Sequence, residues 1–172
     1  MRLEPPPPLP FDLTTGSTEY YDDPLIYDHD FKWYKPDKSF YHNMVKNLGG
    51  PVLEFGCGTG RLMYGWVQSE IDVTGVDMNG AMLERAKSRL HALGAKKRER
   101  YSLKRGDMSR VRLGTKYNVV VSAFNTMMHL YDHDALSRFL KNVRRHLEPG
   151  GTFIFDVLNP DLRWILCYLG EC

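Results

Sequence analysis

A marked excess of either charge, a long apolar run and a usable cysteine framework are all missing from this chain. Lys plus Arg number 23 against 21 Asp plus Glu, a formal net charge of +2, so no overall field marks a nucleic-acid or membrane partner. No stretch approaches the roughly 18 consecutive apolar residues of a membrane span. The N-terminus is proline-rich and lacks the basic-then-apolar order of a secretory signal. Cysteine is scarce: Cys57, Cys167 and Cys172 are an odd number without metal-ligand spacing. That excludes a disulfide framework, offers no metal site and suits a reducing, cytoplasmic compartment. There is no internal repeat, and 172 residues are about one domain with a core of its own.

What is present divides into three segments. Residues 1–18, MRLEPPPPLPFDLTTGST, hold five of the ten prolines and predict an extended, disordered arm. Residues 19–50 are aromatic and mixed in charge, and their second half reads as a helix with Phe40, Met44 and Leu48 on one face. From 51 to 172 strands and helices alternate. PVLEF, IDVTGVD, RYSLKRGD, YNVVVSAF and TFIFDVLN read as strands. RLMYGWVQS, NGAMLERAKSRLHALG and DHDALSRFLKNVRRHLEPGG read as helices. The second of these carries Leu83, Ala86, Leu90 and Leu93 on one face before a Gly94 stop; the third aligns Leu136, Leu140, Val143 and Leu147. Such alternation predicts an α/β protein with a doubly wound parallel sheet, helices on both faces and right-handed crossovers.

In an open α/β sheet a ligand sits beyond the carboxyl ends of the strands, where the first strand turns into its helix. VLEFGCGTGR occupies that turn. A nicotinamide fingerprint, G-x-G-x-x-G, would need glycine at 61, where this chain has Arg61. The spacing E-x-G-x-G-x-G resembles motif I of class I S-adenosylmethionine-dependent methyltransferases, in the small-molecule group. GVDMNGAMLERA, the GDM of residues 106–108 and the LEPGG turn of residues 147–151 follow in the order of that family. The resemblance covers roughly residues 20–160.

The resemblance implies a Rossmann-like sheet of order 3-2-1-4-5, with the family's C-terminal antiparallel hairpin absent because the chain ends soon after Asp156. It implies S-adenosyl-L-methionine as cofactor. Gly56, Cys57, Gly58 and Gly60 would form the loop beside its amino-acid tail, Glu54 would answer its ammonium group, and Cys57 would be a small buried packing residue. Asp77, about twenty residues beyond Gly56, would accept from both ribose hydroxyls with Met78 beside it. Its rival role as a helix cap is better filled by Asn79. Gly106, Asp107 and Met108 would meet the adenine, Phe124 would join them, and the aromatics of residues 19–50 would form a helical lid with Tyr27 and Tyr34 as wall residues or as ordinary packing.

Methyl transfer from a sulfonium is an in-line displacement, so the protein chiefly positions the acceptor and excludes water. FNTMMHL and FDVLN, at the ends of strands four and five, supply the polar candidates. His129 can take a proton near neutral pH, Asn125 can orient an acceptor, and Asp156 can pair with an acceptor ammonium. His129 as a loop anchor and Asp156 as a structural cap are the rival roles. The expected partner is a small-molecule methyl acceptor. The alternatives are a non-catalytic cofactor-binding module, a truncated methyltransferase fragment or, with less support, an RNA methyltransferase. The basic segment AKKRERYSLKRGDMSRVR is expected to be a solvated face beside an edge strand. Nucleic acid is therefore not the expected partner, whereas an exposed fifth strand and the WILCYL tail would suit a homo-oligomer.

Overall fold

The computed structural model describes residues 21–159. The expected N-terminal arm and most of the C-terminal tail lie outside the described residues. Among the described residues two helices come first, α1 (Pro24–Asp30) and α2 (Pro36–Leu48). Asp23 caps α1 by accepting from the N–H groups of Leu25 and Ile26, and a proline sits in the first turn of each helix, where its missing N–H costs nothing. Then follow β1 (Val52–Phe55), α3 (Met63–Gln68), β2 (Val73–Asp77), α4 (Gly80–His91), β3 (Tyr101–Arg105), β4 (Tyr117–Ser122), α5 (His133–His146) and β5 (Leu147–Phe155). Short 3-10 turns, Ala95–Arg100 and Thr126–His129, precede β3 and follow β4.

The five strands form one sheet of order β3-β2-β1-β4-β5, every pair parallel. Strand β1 is central and buried at all four positions, which is why its sequence is apolar on both faces, Glu54 excepted, rather than alternating. Side chains still alternate between faces. Val52, Val119 and Val121 join the core with Tyr41, Val45, Met63, Trp66 and Leu90; Leu53, Phe55 and Val120 join a second core with Phe139 and Val143. Glu54 therefore points to the face covered by α2 and α3. Strand β3 is an edge, as expected for the basic segment, and there Lys97 pairs with Glu70 and Arg100 with Asp72 at the surface. Among the described residues no helix is long and apolar enough to cross a membrane.

Helix α4 buries Leu83, Ala86 and Leu90 with Met82, close to the expected face, and Asn79 caps it by accepting from Met82 N–H at 3.1 Å. Two other helices are rotated from their expected faces. On α2 the buried residues are Tyr41 and Val45, whereas Phe40 is 52% and Leu48 40% exposed. On α5 the buried set is Phe139, Asn142, Val143 and His146, Leu140 is exposed, and Leu147 already belongs to β5. The physical reason on α5 is that two polar side chains find complete partnerships inside. Asn142 Nδ2 donates to the carbonyls of Met108 and Val111, His146 Nδ1 lies 2.8 Å from the Asn142 carbonyl, and His146 Nε2 accepts from Leu113 N–H at 3.3 Å. A hydrogen-bonded polar group can be buried at little net cost, and Phe139 buries more area than Leu140 would.

His146 thus needs a proton on Nδ1 and none on Nε2, and burial holds it below the usual histidine range. A depressed folded value means the unfolded chain binds the extra proton first, so the contribution is whole above the unfolded value near 6.5 and is lost as pH falls below it. Because the raised carboxyls of buried acids act in the opposite direction, the readout is a difference: between pH 7.5 and 5.5 the urea midpoint of the wild type should drop relative to that of His146→Gln. A difference that stays constant across that range would remove His146 as the cause.

Candidate functional site at the carboxyl ends of the strands

The turn from β1 into α3 is shaped by glycine at three positions for different reasons, each with positive φ. Gly56 has φ +70, and a Cβ there would collide with the Thr126 side chain that follows β4. Gly58 has φ +51, but a Cβ there would meet nothing within 4 Å. Backbone conformation demands glycine at Gly58 while protein packing leaves the space beside it open. Gly60 lies under α4, where a Cβ would sit 3.2 Å from Ala86 Cβ. Cys57 is buried, its sulfur 2.8 Å from where a Cβ on Gly75 would be, so the thiol fills the room that Gly75 of β2 leaves.

Two acids face this loop. Glu54 is only 3% exposed and its Oε2 has no hydrogen-bond partner among the described residues. Burial raises its carboxyl to about 8, with Asp77 and Asp37 pushing the same way and Arg61 opposing them. Asp77, at the end of β2, accepts from Gly58 N–H through Oδ2 at 2.8 Å and from Asn79 N–H through Oδ1 at 2.9 Å. Burial raises its carboxyl as well, against those backbone N–H groups. One acid braces the glycine loop; the other holds a buried oxygen that nothing among the described residues satisfies, a costly arrangement without a ligand.

The loop after β4 is held by Asp156. Its Oδ2 accepts from Phe124 N–H at 2.8 Å and from the Tyr41 hydroxyl at 2.7 Å, and Oδ1 accepts from Asn125 N–H at 2.5 Å. Phe124 and Asn125 have φ of 58 and 60, a left-handed conformation that non-glycine residues adopt only when surroundings enforce it. Asp156 is therefore the clamp of that loop, the structural-cap role, and its oxygens are already engaged. His129 Nε2 lies 3.0 Å from the Tyr21 hydroxyl and Nδ1 3.3 Å from that of Tyr131. Burial lowers the imidazole, while the nearby Asp77 charge raises it.

Helices α1 and α2 are tied onto the glycine loop by contacts that no local pattern announced. Asp28 receives Thr59 Oγ1–H at 2.7 Å, Arg85 Nε–H at 2.7 Å and an Arg89 guanidinium N–H at 2.6 Å. Burial pushes its carboxyl up, but these partners together outweigh it and hold the group below the usual range. Asp37 and Arg61 form a two-pronged pair at 2.8 and 2.5 Å, and the Arg61 guanidinium sits 4.9 Å from the centre of the Phe124 ring. Tyr27 packs against Phe31, which meets Phe124 edge-on at 4.8 Å, and Tyr34 leans on the same ring at 5.2 Å.

Of the residues singled out from sequence, Tyr27, Glu54, Gly56, Cys57, Gly58 and Phe124 line one tight cleft. Asp77 braces its floor, and Gly106 N–H donates to the Asp77 carbonyl, which brings the segment after β3 alongside. Asp107 folds back on its own turn, accepting from Ser109 N–H and Oγ–H at 2.7 Å each. Met108 packs into the core beneath α5, whereas Met78 is 65% exposed. Tyr34 is half-exposed at the rim. Arg61, Asp28, Thr59, Arg85, Arg89 and Asp37 were not foreseen; only Arg61 carried a local signal, its place in the loop.

A family model described as a methyltransferase domain matches residues 52–151. An N,N-dimethyltransferase of Streptomyces venezuelae, acting on dTDP-3-amino-3,4,6-trideoxy-alpha-D-glucopyranose, is 30% identical over 61% of this chain and 41% of its own. A ubiquinone biosynthesis O-methyltransferase of Erwinia tasmaniensis is 31% identical over 72% of this chain and 49% of its own. The solved structure of the glycopeptide N-methyltransferase MtfA complexed with S-adenosyl-L-methionine superposes with a TM-score of 0.63, at 31% identity over 72% of this chain and 55% of that one. The chain spans about half the length of the curated relatives it matches.

Proposed function

This chain belongs to the methyltransferase-domain family, and from that premise we propose that it binds S-adenosyl-L-methionine and passes the methyl group to a nitrogen or oxygen of a small-molecule acceptor. The carrying observation is the buried Oε2 of Glu54, unpartnered among the described residues, beside the open space at Gly58. A ligand with an ammonium group on a compact tail meets both, whereas a pyrophosphate would set its negative charge against Glu54. The relatives named above, which methylate amino and hydroxyl groups by their descriptions, support the same choice.

When bound, the sulfonium supplies an activated methyl group. Everything else falls to side chains of this chain. Glu54 holds the ammonium, the remaining lone pairs of Asp77 accept from the ribose hydroxyls, and Asp107 and Met108 border the adenine. Met78 and the glycines at 56, 58, 60 and 106 complete the cradle. Phe124, Tyr27 and Tyr34 exclude water from the transfer site. His129 is the candidate base and Asn125 the candidate orienting group for the acceptor; Asp156 serves them by fixing the loop on which both are carried. Production of S-adenosylhomocysteine in the presence of a panel of amine and hydroxyl metabolites tests transfer. Tight donor binding without any such product would favour the non-catalytic module instead.

Glu54 also gives binding a pH signature. With its carboxyl at about 8, the empty site is mostly protonated at pH 7, and an ammonium ligand selects the ionised form. Affinity should then rise with pH from 6 to 8, by up to about tenfold per unit, until the ligand's own amino group, near 8, deprotonates. Calorimetry at pH 7 in buffers of different ionisation enthalpy should register close to one proton released. Binding without proton release would separate Glu54 from the ammonium.

A further inference from the structure

Beside the donor cleft, on the other side of Tyr27 and Arg61, lies a second pocket of about 290 Å³. Its walls come from four places: α1 with the turn after it, α2, α3 with the loop before it, and α4. Lys32, Lys38, Arg61 and Arg89 line it, against a single carboxylate, Asp28. That carboxylate is already shared between Arg85 and Arg89, and the nearby Asp37 is committed to Arg61. Lys38 has no ion pair or side-chain hydrogen bond among the described residues. Burial, then Arg61 and Arg89, push its ammonium below the usual lysine range, the direction expected where counter-charge is short. Tyr27, Phe31 and Tyr64 complete the walls with aromatic surface.

A folded chain does not gather four cations around a concavity without electrostatic cost, and two carboxylates leave that charge under-compensated. We propose that this pocket is an anion subsite, built for a phosphate-type group, with Lys38 as its primary charge contact. An ammonium is the compact, rotatable point charge that suits a phosphate oxygen, while the forks of Arg61 and Arg89 are fixed by their carboxylates and supply field rather than direct pairing. The proposal rests on the donor reading only in assigning the neighbouring cleft to S-adenosylmethionine. Because Tyr27 and Arg61 wall both spaces, an anion bound here sits against the closed edge of the donor cleft.

The probe is inorganic pyrophosphate, titrated calorimetrically into the full chain with and without saturating S-adenosylhomocysteine. One pyrophosphate per chain is expected in both conditions, weakening as salt is added. Lys38→Met should weaken it by about tenfold or more while leaving S-adenosylhomocysteine affinity within about twofold. Lys141→Met, on the distant helix α5, should change neither. A Lys38→Met protein that does not fold shifts the test to Lys32→Met, for which a several-fold loss of pyrophosphate affinity is expected. No binding to the wild type, unchanged binding in the lysine variant, or displacement of pyrophosphate by S-adenosylhomocysteine overturns the proposal; the last outcome would make the pocket part of the donor's carboxylate tail site. If S-adenosylhomocysteine fails to bind while pyrophosphate binds through Lys38, the donor reading falls and the anion site stands.

Discussion

Asp77→Ala should weaken binding of S-adenosylhomocysteine by about 100-fold, or about 3 kcal/mol. Two effects combine. In the proposed site the carboxylate would supply the acceptor lone pairs for two ribose hydroxyls, and hydrogen bonds to a charged group contribute about 1.5–3 kcal/mol each. It also receives Gly58 N–H at 2.8 Å and Asn79 N–H at 2.9 Å, so its removal loosens the glycine loop and leaves two backbone donors without their partner. Asp77→Asn separates these effects, because the amide keeps one acceptor oxygen but turns an NH2 toward one of the two N–H groups. Its affinity should fall between wild type and alanine, with a smaller loss of thermal stability. Titration calorimetry is the measurement, and an unchanged affinity in the alanine variant would remove Asp77 from the site.

The second large effect concerns folding rather than binding. Asp156→Ala should cost about 3 kcal/mol of stability in urea denaturation, since it strips the acceptor from Phe124 N–H, Asn125 N–H and the Tyr41 hydroxyl together. Phe124 and Asn125 hold left-handed backbone conformations that cost of order 1 kcal/mol each without enforcement. The loop bearing Asn125 and His129 should relax, and methyl transfer should fall along with stability. Asp156→Asn keeps the shape but places a donor against one of the N–H groups, so it should recover only part of the loss. If Asp156 acted by pairing with an acceptor ammonium, as its position in sequence also allowed, stability would change by less than about 0.5 kcal/mol and only the acceptor KM would rise.

Residues whose roles depend on near neighbours were legible before any coordinates. The buried run of β1, the positive-φ glycines of the loop, Asn79 as the cap of α4 and the apolar face of that helix follow from period, turn chemistry and capping, all of which act within a few residues. The faces of α2 and α5 were not. Apolar spacing favoured Phe40 and Leu140 because it counts every polar residue as solvent-facing, whereas Asn142 and His146 are buried on hydrogen bonds to the segment 108–113. The network on Asp28 was invisible for the same reason: its partner Arg89 is 61 positions away, and no local preference ties them.

By itself, then, the order of residues determined the alternating parallel sheet, the glycine turn after β1 and the two acids beside it, because strand period and glycine conformation are short-range physics. Tertiary packing alone decided that Asp156 is a loop clamp, that Glu54 keeps an oxygen unsatisfied among the described residues, and that four cations from separate segments converge next to Tyr27. Those outcomes depend on which distant groups share a small, poorly hydrated space, and there a charge or hydrogen bond is worth more than any local preference.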